Sequence, residues 1–247
     1  MDGPQRSSAG DDLKAIIERP KGRPKKVAID SDGHGGNKAS VSSADALLNA
    51  ASALMIERNS VNISFVEIAK KAGMNQALIH YHFKSKAGLF IALIERDAGS
   101  TYSELEKLVV SDMPADQKMR HHIHGVIKVY YRYPYMNRLV ASLAVETNSD
   151  IARYISERFT VPLAEAQRKI LQQGLEEGTF RPVDPLLFYF SFVGACDHLF
   201  SATYSLKWAF GISEVSDDLR RRYADHVSSQ LLTNILVKES SQQDDLT

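Results

Sequence analysis

Helix starts and stops follow one another so closely between Ser64 and Leu89 that only short helices packed across each other can satisfy them. Ser64-Phe-Val-Glu67 has the form of a capping box, in which the hydroxyl takes a backbone N–H and the glutamate reaches back. Phe65, Ile68, Ala69 and Ala72 then fall at i, i+3, i+4 and i+7, making one apolar stripe. Gly73 stands where a helix C-terminus wants a left-handed residue. Asn75 can cap a third helix over 76–82, with Ile79 and Phe83 facing inward. Ser85 can cap a fourth, apolar through Leu89, Phe90, Ala92, Leu93 and Ile94 and reaching Val110.

A longer helix over 43–58 precedes these, with Leu47, Leu48, Ala51 and Leu54 at helical spacing. Beyond Val110 the same period predicts helices over 115–132, 135–146, 149–177, 184–209 and 215–238. The breaks lie at Pro114, Pro134, Gly178 to Pro182 and Gly211 to Ser213. No strand alternation appears, so the expected fold class is all-α. We divide the chain into a flexible basic arm (1–41), a compact three-helix unit (42–97), a helical bundle (98–239) and a disordered tail (240–247).

Two short helices joined through one glycine, behind a longer helix, form a helix-turn-helix pattern. In that arrangement the second helix braces the third, which projects into a major groove. Its outward run presents Gln76, Ala77, Leu78, His80 and Tyr81 to base edges. Small Ala77 permits close approach, and Gln76 can pair with adenine through two hydrogen bonds, worth roughly 1–3 kcal/mol of discrimination. Ser64, His82 and Lys86 are placed for phosphates.

The stretch SFVEIAKKAGMNQALIHYHFKSKAGLF resembles the DNA-binding domain of the tetracycline-repressor (TetR) family of bacterial regulators. The resemblance covers about 43–97 and rests on Ile68-Ala69, Ala72-Gly73, Ile79, Tyr81-His82-Phe83, Ser85-Lys86 and Leu89. His80 stands where that family usually has tyrosine, and Gln76-Ala77-Leu78 replaces a commoner small or polar run. The resemblance implies three DNA-binding helices, a connecting fourth and a C-terminal domain that binds a ligand and forms a homodimer. It implies double-stranded operator DNA and a small-molecule effector as partners. Tyr130-Tyr131-Arg132-Tyr133-Pro134, with Arg138-Leu139, Glu146 and Pro182-Val183-Asp184-Pro185, resembles the C-terminal domain of the subgroup containing the pyrimidine-utilisation regulator RutR.

Net charge is zero over the whole chain, with 30 basic and 30 acidic residues, yet Arg19–Lys26 carries five positive charges and no negative one. Lys21-Gly22-Arg23-Pro24-Lys25 resembles an AT-hook core, in which glycine lets the backbone sink into a narrow minor groove and Arg23 lies along an A·T floor. The plainer reading is a basic tail making phosphate contacts.

In the bundle, Tyr130, Tyr133, Phe192, Cys196, His198, Phe200 and Tyr204 are candidates for a ligand pocket or for ordinary core. Two apolar sets could build a dimer interface: Leu186, Tyr189, Phe190, Val193 and Leu199, then Tyr223, Val227, Leu231, Leu232, Ile235 and Leu236. His121-His122-x-His124 invites a metal reading, but no carboxylate at ligand spacing completes a set. We expect no metal, no cofactor and no enzyme: phosphate-loop, G-x-S-x-G and H-E-x-x-H patterns are missing, and Cys196 and His198 point apart on a helix. The lone cysteine excludes a disulfide framework, and the polar first residues do not form a secretory leader, so the chain reads as cytoplasmic. The leading expectation is a repressor released from a palindromic operator by a small molecule. An architectural A·T-preferring DNA binder, and a bundle acting alone as an enzyme or binding module, remain as alternatives.

Overall fold

The computed structural model describes residues 42–146 and 149–237. Its helices are α1 (Ser43–Arg58), α2 (Phe65–Ala72), α3 (Ala77–Phe83), α4 (Lys86–Val110), α5 (Ala115–Arg132), α6 (Met136–Glu146), α7 (Ser149–Ile155), α8 (Val161–Glu176), α9 (Pro185–Ser201), α10 (Thr203–Phe210) and α11 (Asp217–Thr233). A π-helical turn, Ser156–Thr160, joins α7 to α8. The expected all-α class is what forms.

Most boundaries follow from local chemistry. Ser64 and Glu67 make the full capping box of α2, and Gly73 ends the helix at φ 66°. Ser42, Ser85 and Ser216 each accept a backbone N–H at the start of α1, α4 and α11. Asp184 accepts from Leu186 N at 2.8 Å, with Pro185 in the first turn of α9. Caps of this kind each contribute about 0.5–2 kcal/mol.

Four elements differ from the sequence expectation. The third helix lies one residue further on than 76–82, because Asn75 Oδ1 takes the Ala77 N–H at 2.8 Å. The helix expected over 149–177 contains the π turn, just where Pro162 cannot donate to the preceding turn. The helix expected over 184–209 bends by 61° at Ala202, separating α9 from α10. The last helix stops at Thr233, and the chain doubles back on Thr179–Arg181. There Arg181 N donates to Ile235 O, Val237 N to Thr179 O, and Phe180 and Leu236 form an isolated antiparallel bridge.

The core is continuous. Leu47, Ala51 and Met55 of α1 meet Leu89, Leu93 and Ile94 of α4, and the same cluster extends to Met119, Ile123 and Ile127 of α5 and Phe192 of α9. Full burial of each of these Leu, Ile, Met or Phe side chains is worth roughly 1.5–3 kcal/mol. Helix α4 runs unbroken from the N-terminal helices into the bundle. Helix α5 packs against α4, α8, α9 and α11, and is the central strut.

Candidate nucleic-acid interface and internal cavity

Helix α3 is held from below and leaves one face open. Ile79 and Phe83 are buried, while Gln76, Ala77, His80 and Tyr81 are exposed, Tyr81 to 70%. Leu78, placed by sequence on the outward run, is half-buried against the core and so withdrawn from that face. The His80 ring stands edge-on to Phe65 of α2, 5.0 Å between centroids, which fixes its direction without burying it.

The residues expected at phosphates are partly engaged within the protein. The Ser64 hydroxyl sits inside the capping box, where it accepts from Glu67 N and donates to Glu67 Oε2 at 2.7 Å. His82 Nε2 lies 2.7 Å from Ser43 Oγ, so it braces α3 against α1. Lys86 is exposed, its ammonium 5.4 Å from the Phe90 ring centre. Sequence reasoning passed over Lys84, the residue after α3, which has φ 64° and donates through Nζ to Tyr81 O at 3.0 Å. Gly88 in the first turn of α4 explains the tight corner: a Cβ there would lie 2.2 Å from Phe83 O. Lys71 and Arg58 are paired with Glu57 and Glu67, so Lys70, Lys84 and Lys86 carry the unpaired positive charge near α3 among the described residues. Hydrogen bonds from Ser64 and then Arg58 hold the Glu67 carboxyl at a pKa of about 2. The candidate minor-groove residues Lys21, Gly22, Arg23, Pro24 and Lys25 lie outside the described residues.

A polar cluster joins these helices to the bundle. Tyr135, just ahead of α6, is fully buried; its hydroxyl donates to Asp97 of α4 and shares a 2.9 Å hydrogen bond with Ser52 of α1. Arg96 Nε donates to the other Asp97 oxygen at 2.7 Å, and its Nη1 to Asn49 Oδ1 at 2.8 Å. Arg138, in the first turn of α6, donates to the Asn59 backbone carbonyl at 2.7 Å and to the Asn59 side chain. Asn59 Nδ2 then donates to Thr203 Oγ1 at 2.5 Å, which ties α10 to the end of α1.

On the opposite side of the α6 turn, Met136, Asn137 and Val140 wall a cavity of about 90 Å3. Helix α4 adds Ala98, Thr101 and Tyr102; α5 adds His122, Val126 and Tyr130; the π turn adds Phe159 and Thr160; α9 adds Tyr189 and Val193. Of the seven candidates proposed from sequence, Tyr130 lines it. Phe192 lies behind the wall, stacked on His122 with ring centres 4.7 Å apart. Cys196 is buried, and burial pushes its thiol pKa up. Phe200 is buried between Tyr131 and Tyr223, and Tyr133 is half-buried beside Tyr135. His198 and Tyr204 face solvent. These six lie off the cavity, the four on α9 because that helix turns its Tyr189 edge toward it.

His122 was the least visible lining residue. Within a histidine-rich run it reads as solvated or helix-capping, yet it is buried, and that burial lowers its pKa to about 3. Its Nε2 lies 3.4 Å from Gln167 Nε2. Tyr102 also lines the cavity; its hydroxyl donates to Phe159 O at 2.9 Å, and burial raises its pKa.

The two apolar sets expected at a dimer interface separate. On α9, Leu186 and Phe190 are exposed to 61% and 66%, whereas Tyr189 and Val193 face the cavity and Leu199 is half-buried. On α11 and the segment after it, Val227, Leu232 and Ile235 are buried and Tyr223, Leu231 and Leu236 half-buried, because that stripe packs inward, α11 lying against α5. Leu187 on α9 and Tyr204, Trp208 and Phe210 on α10 are also exposed. No single described helix is long and apolar enough to cross a membrane; α9 and α10 reach that length only as a bent pair.

Comparison with known proteins agrees with this architecture. Residues 47–93 match the model of bacterial regulatory proteins of the tetR family, and residues 112–241 match that of the tetracyclin repressor-like C-terminal domain. The nucleoid occlusion factor SlmA of Vibrio atlanticus is 26% identical over 126 residues, 49% of this chain and 63% of that protein. The chain thus spans under two thirds of that relative's length. The ketosteroid regulator KstR2 of Mycobacterium tuberculosis superposes with a TM-score of 0.62 at 20% identity, covering 80% of this chain and 96% of its own. The regulator FadR of Bacillus subtilis, solved with stearoyl-CoA, gives 0.57 at 19% identity, covering 77% and 98%. With the second family model alone spanning more than half of its length, the chain belongs to the tetR family of bacterial regulatory proteins.

Proposed function

We propose that the protein is a homodimeric transcriptional repressor that holds a palindromic operator through α3 and lets go when a small molecule enters the bundle. Gln76, Ala77, His80 and Tyr81 read base edges. Lys70, Lys84 and Lys86 meet phosphates, and the arm 1–41, with Arg23, reaches an A·T-rich minor groove. The 42–97 unit carries DNA binding, and the bundle carries effector binding and dimerisation. The protein acts by binding rather than by turnover, and its place of work is the cytoplasm.

One observation carries this reading. The first turn of α6 lines the cavity with Met136 and Asn137, while Tyr135 and Arg138 beside them grip α1. A ligand that presses on Met136 or Asn137 moves the same turn that fixes α1, and hence α3. A ligand shifts the balance between two states only by its differential affinity for them. FadR was solved with stearoyl-CoA, and that relative's ligand supports a response to a metabolite here. The exposed apolar side chains of α9 and α10 support the dimer, since clusters of exposed apolar residues mark protein–protein contacts. Twofold symmetry then presents two copies of α3 to two half-sites about 34–36 Å apart.

Selection of the purified chain on random duplex DNA at near-physiological salt tests this. We expect an enriched palindrome, with two chains bound per duplex by sedimentation. Enrichment of A·T tracts without a palindrome would point instead to an architectural DNA binder.

A further inference from the structure

The cavity behind α6 is not isolated. Tyr102 and Leu105 of α4 form its outer wall, and the same two residues line a surface groove of about 250 Å3 between α4 and α8. Small-molecule sites usually occupy about 300–1,000 Å3. The cavity of about 90 Å3 falls short of that, and so does the groove. Joined through a displaced Tyr102 ring, they reach it.

Their chemistry differs in a way that defines a ligand. Among the described residues, no lysine, arginine, aspartate or glutamate lines the cavity. Its ionisable groups are His122, held neutral by burial, and tyrosines. An anion there would lose its hydration with no cation to compensate it. The groove, by contrast, carries Arg158, Lys169, Glu106 and Glu165 beside Val109, Val110 and Pro162. Glu165 is already held by Arg168 at 2.6 Å. Arg158 and Lys169 have no carboxylate at ion-pair distance among the described residues, and both are exposed. Arg158, its guanidinium carbon 6.0 Å from the Phe159 ring centre, and Lys169, which acts on Glu165 at longer range, thus give the groove two cations outside any close ion pair, beside one such carboxylate, Glu106.

Resting on the effector reading above, we infer that the effector is amphipathic, with an apolar portion in the cavity behind Tyr102 and an anionic group on Arg158 and Lys169. Tyr102 is the gate. It is kept shut by its hydrogen bond to Phe159 O and by the Phe159 ring, 6.1 Å away. Both lie on the π turn, so the latch is set by the same helix irregularity that Pro162 accompanies.

Decanoate, decanol and decylamine, equal in chain and different in head, are the probes. Their affinities for the full chain are measured by calorimetry, and the effect of each on operator affinity is followed in the same samples. We expect decanoate to bind at least tenfold tighter than the other two. Arg158→Glu with Lys169→Glu should remove that preference while leaving decanol binding unchanged. Leu105→Trp, which plugs the passage, should abolish binding of all three. Tyr102→Phe, which keeps the ring and loses the latch, should speed decanoate association several-fold and guards against misfolding of the plugged variant. Equal affinities for the three probes, a preference that survives the double charge reversal, or unchanged association in Tyr102→Phe would each overturn the inference. If decanoate does not bind while an uncharged compound releases the operator, this inference fails and the effector reading stands. If no compound in a metabolite screen alters operator affinity, both fail.

Discussion

Replacing Tyr135 with phenylalanine removes one oxygen from the place where the bundle holds the N-terminal helices. The ring is fully buried and its packing survives the change. The hydroxyl serves two partners: it donates to Asp97 and shares a 2.9 Å hydrogen bond with Ser52. Both partners are themselves buried, so water does not substitute. A buried polar group stripped of its partner costs about 1–3 kcal/mol, more when charged. Arg96 still holds the other Asp97 oxygen, which limits the loss. We therefore expect Tyr135→Phe to destabilise the chain by about 2–4 kcal/mol, a large share of a domain's usual 5–15 kcal/mol. Urea unfolding of wild type and variant measures this. Ser52→Ala alone and combined with Tyr135→Phe should show non-additivity of about 0.5–3 kcal/mol, because the two residues share one contact. A loss under about 0.5 kcal/mol, the scale of a neutral surface change, would refute the reasoning that this cluster fastens α1 to the bundle.

Three further outcomes follow from the same geometry. Arg138→Ala strips two donors from Asn59 and should weaken the influence of effector on operator affinity, read as the ratio of operator Kd with and without effector; an unchanged ratio contradicts coupling through α6. Gly174→Ala places a Cβ 2.0 Å from the ring of buried Phe180, and should cost about 1–3 kcal/mol of stability by thermal melting. His122 has a folded pKa of about 3 against an ordinary 6.5, so the unfolded chain takes up its proton first as pH falls. Its contribution is present above pH 6.5 and is lost toward pH 3, at about 1.4 kcal/mol per pH unit where the slope is full. His122→Phe, which keeps the stack on Phe192, should reduce the slope of urea-derived stability between pH 6.5 and about 5.5, above the range where Glu67 and Glu177 take up protons in the unfolded chain; His124, also lowered by burial, leaves a residual slope.

The N-terminal helices were legible because each boundary is a local event. Ser64 with Glu67, Gly73, Asn75 and Ser85 all act within four residues, so sequence alone places them. Within α3 the reading blurred at Leu78 and His82, whose directions depend on contacts with the core and with Ser43, far away in the chain. The bundle was less legible for the same reason. Nothing in the sequence at Ala202 breaks a helix; the bend there brings Thr203 to Asn59, 144 residues earlier. Aromatic residues on α9 look alike as core, pocket or surface until the rotation of that helix is known. That rotation turns Tyr189 to the cavity, Phe192 to the core and Phe190 to solvent. His122 was hidden by its neighbours, since burial and not composition makes it a neutral wall residue.

The central claim is that α3 reads bases, and Gln76→Ala tests it most directly. The affinities of wild type and variant are compared across single-base variants of the selected operator. The account predicts relaxed specificity at one base pair in each half-site, by about 1–3 kcal/mol there, with little change elsewhere. A uniform loss across all positions, or none at any, would contradict a base-reading role for the exposed face of α3.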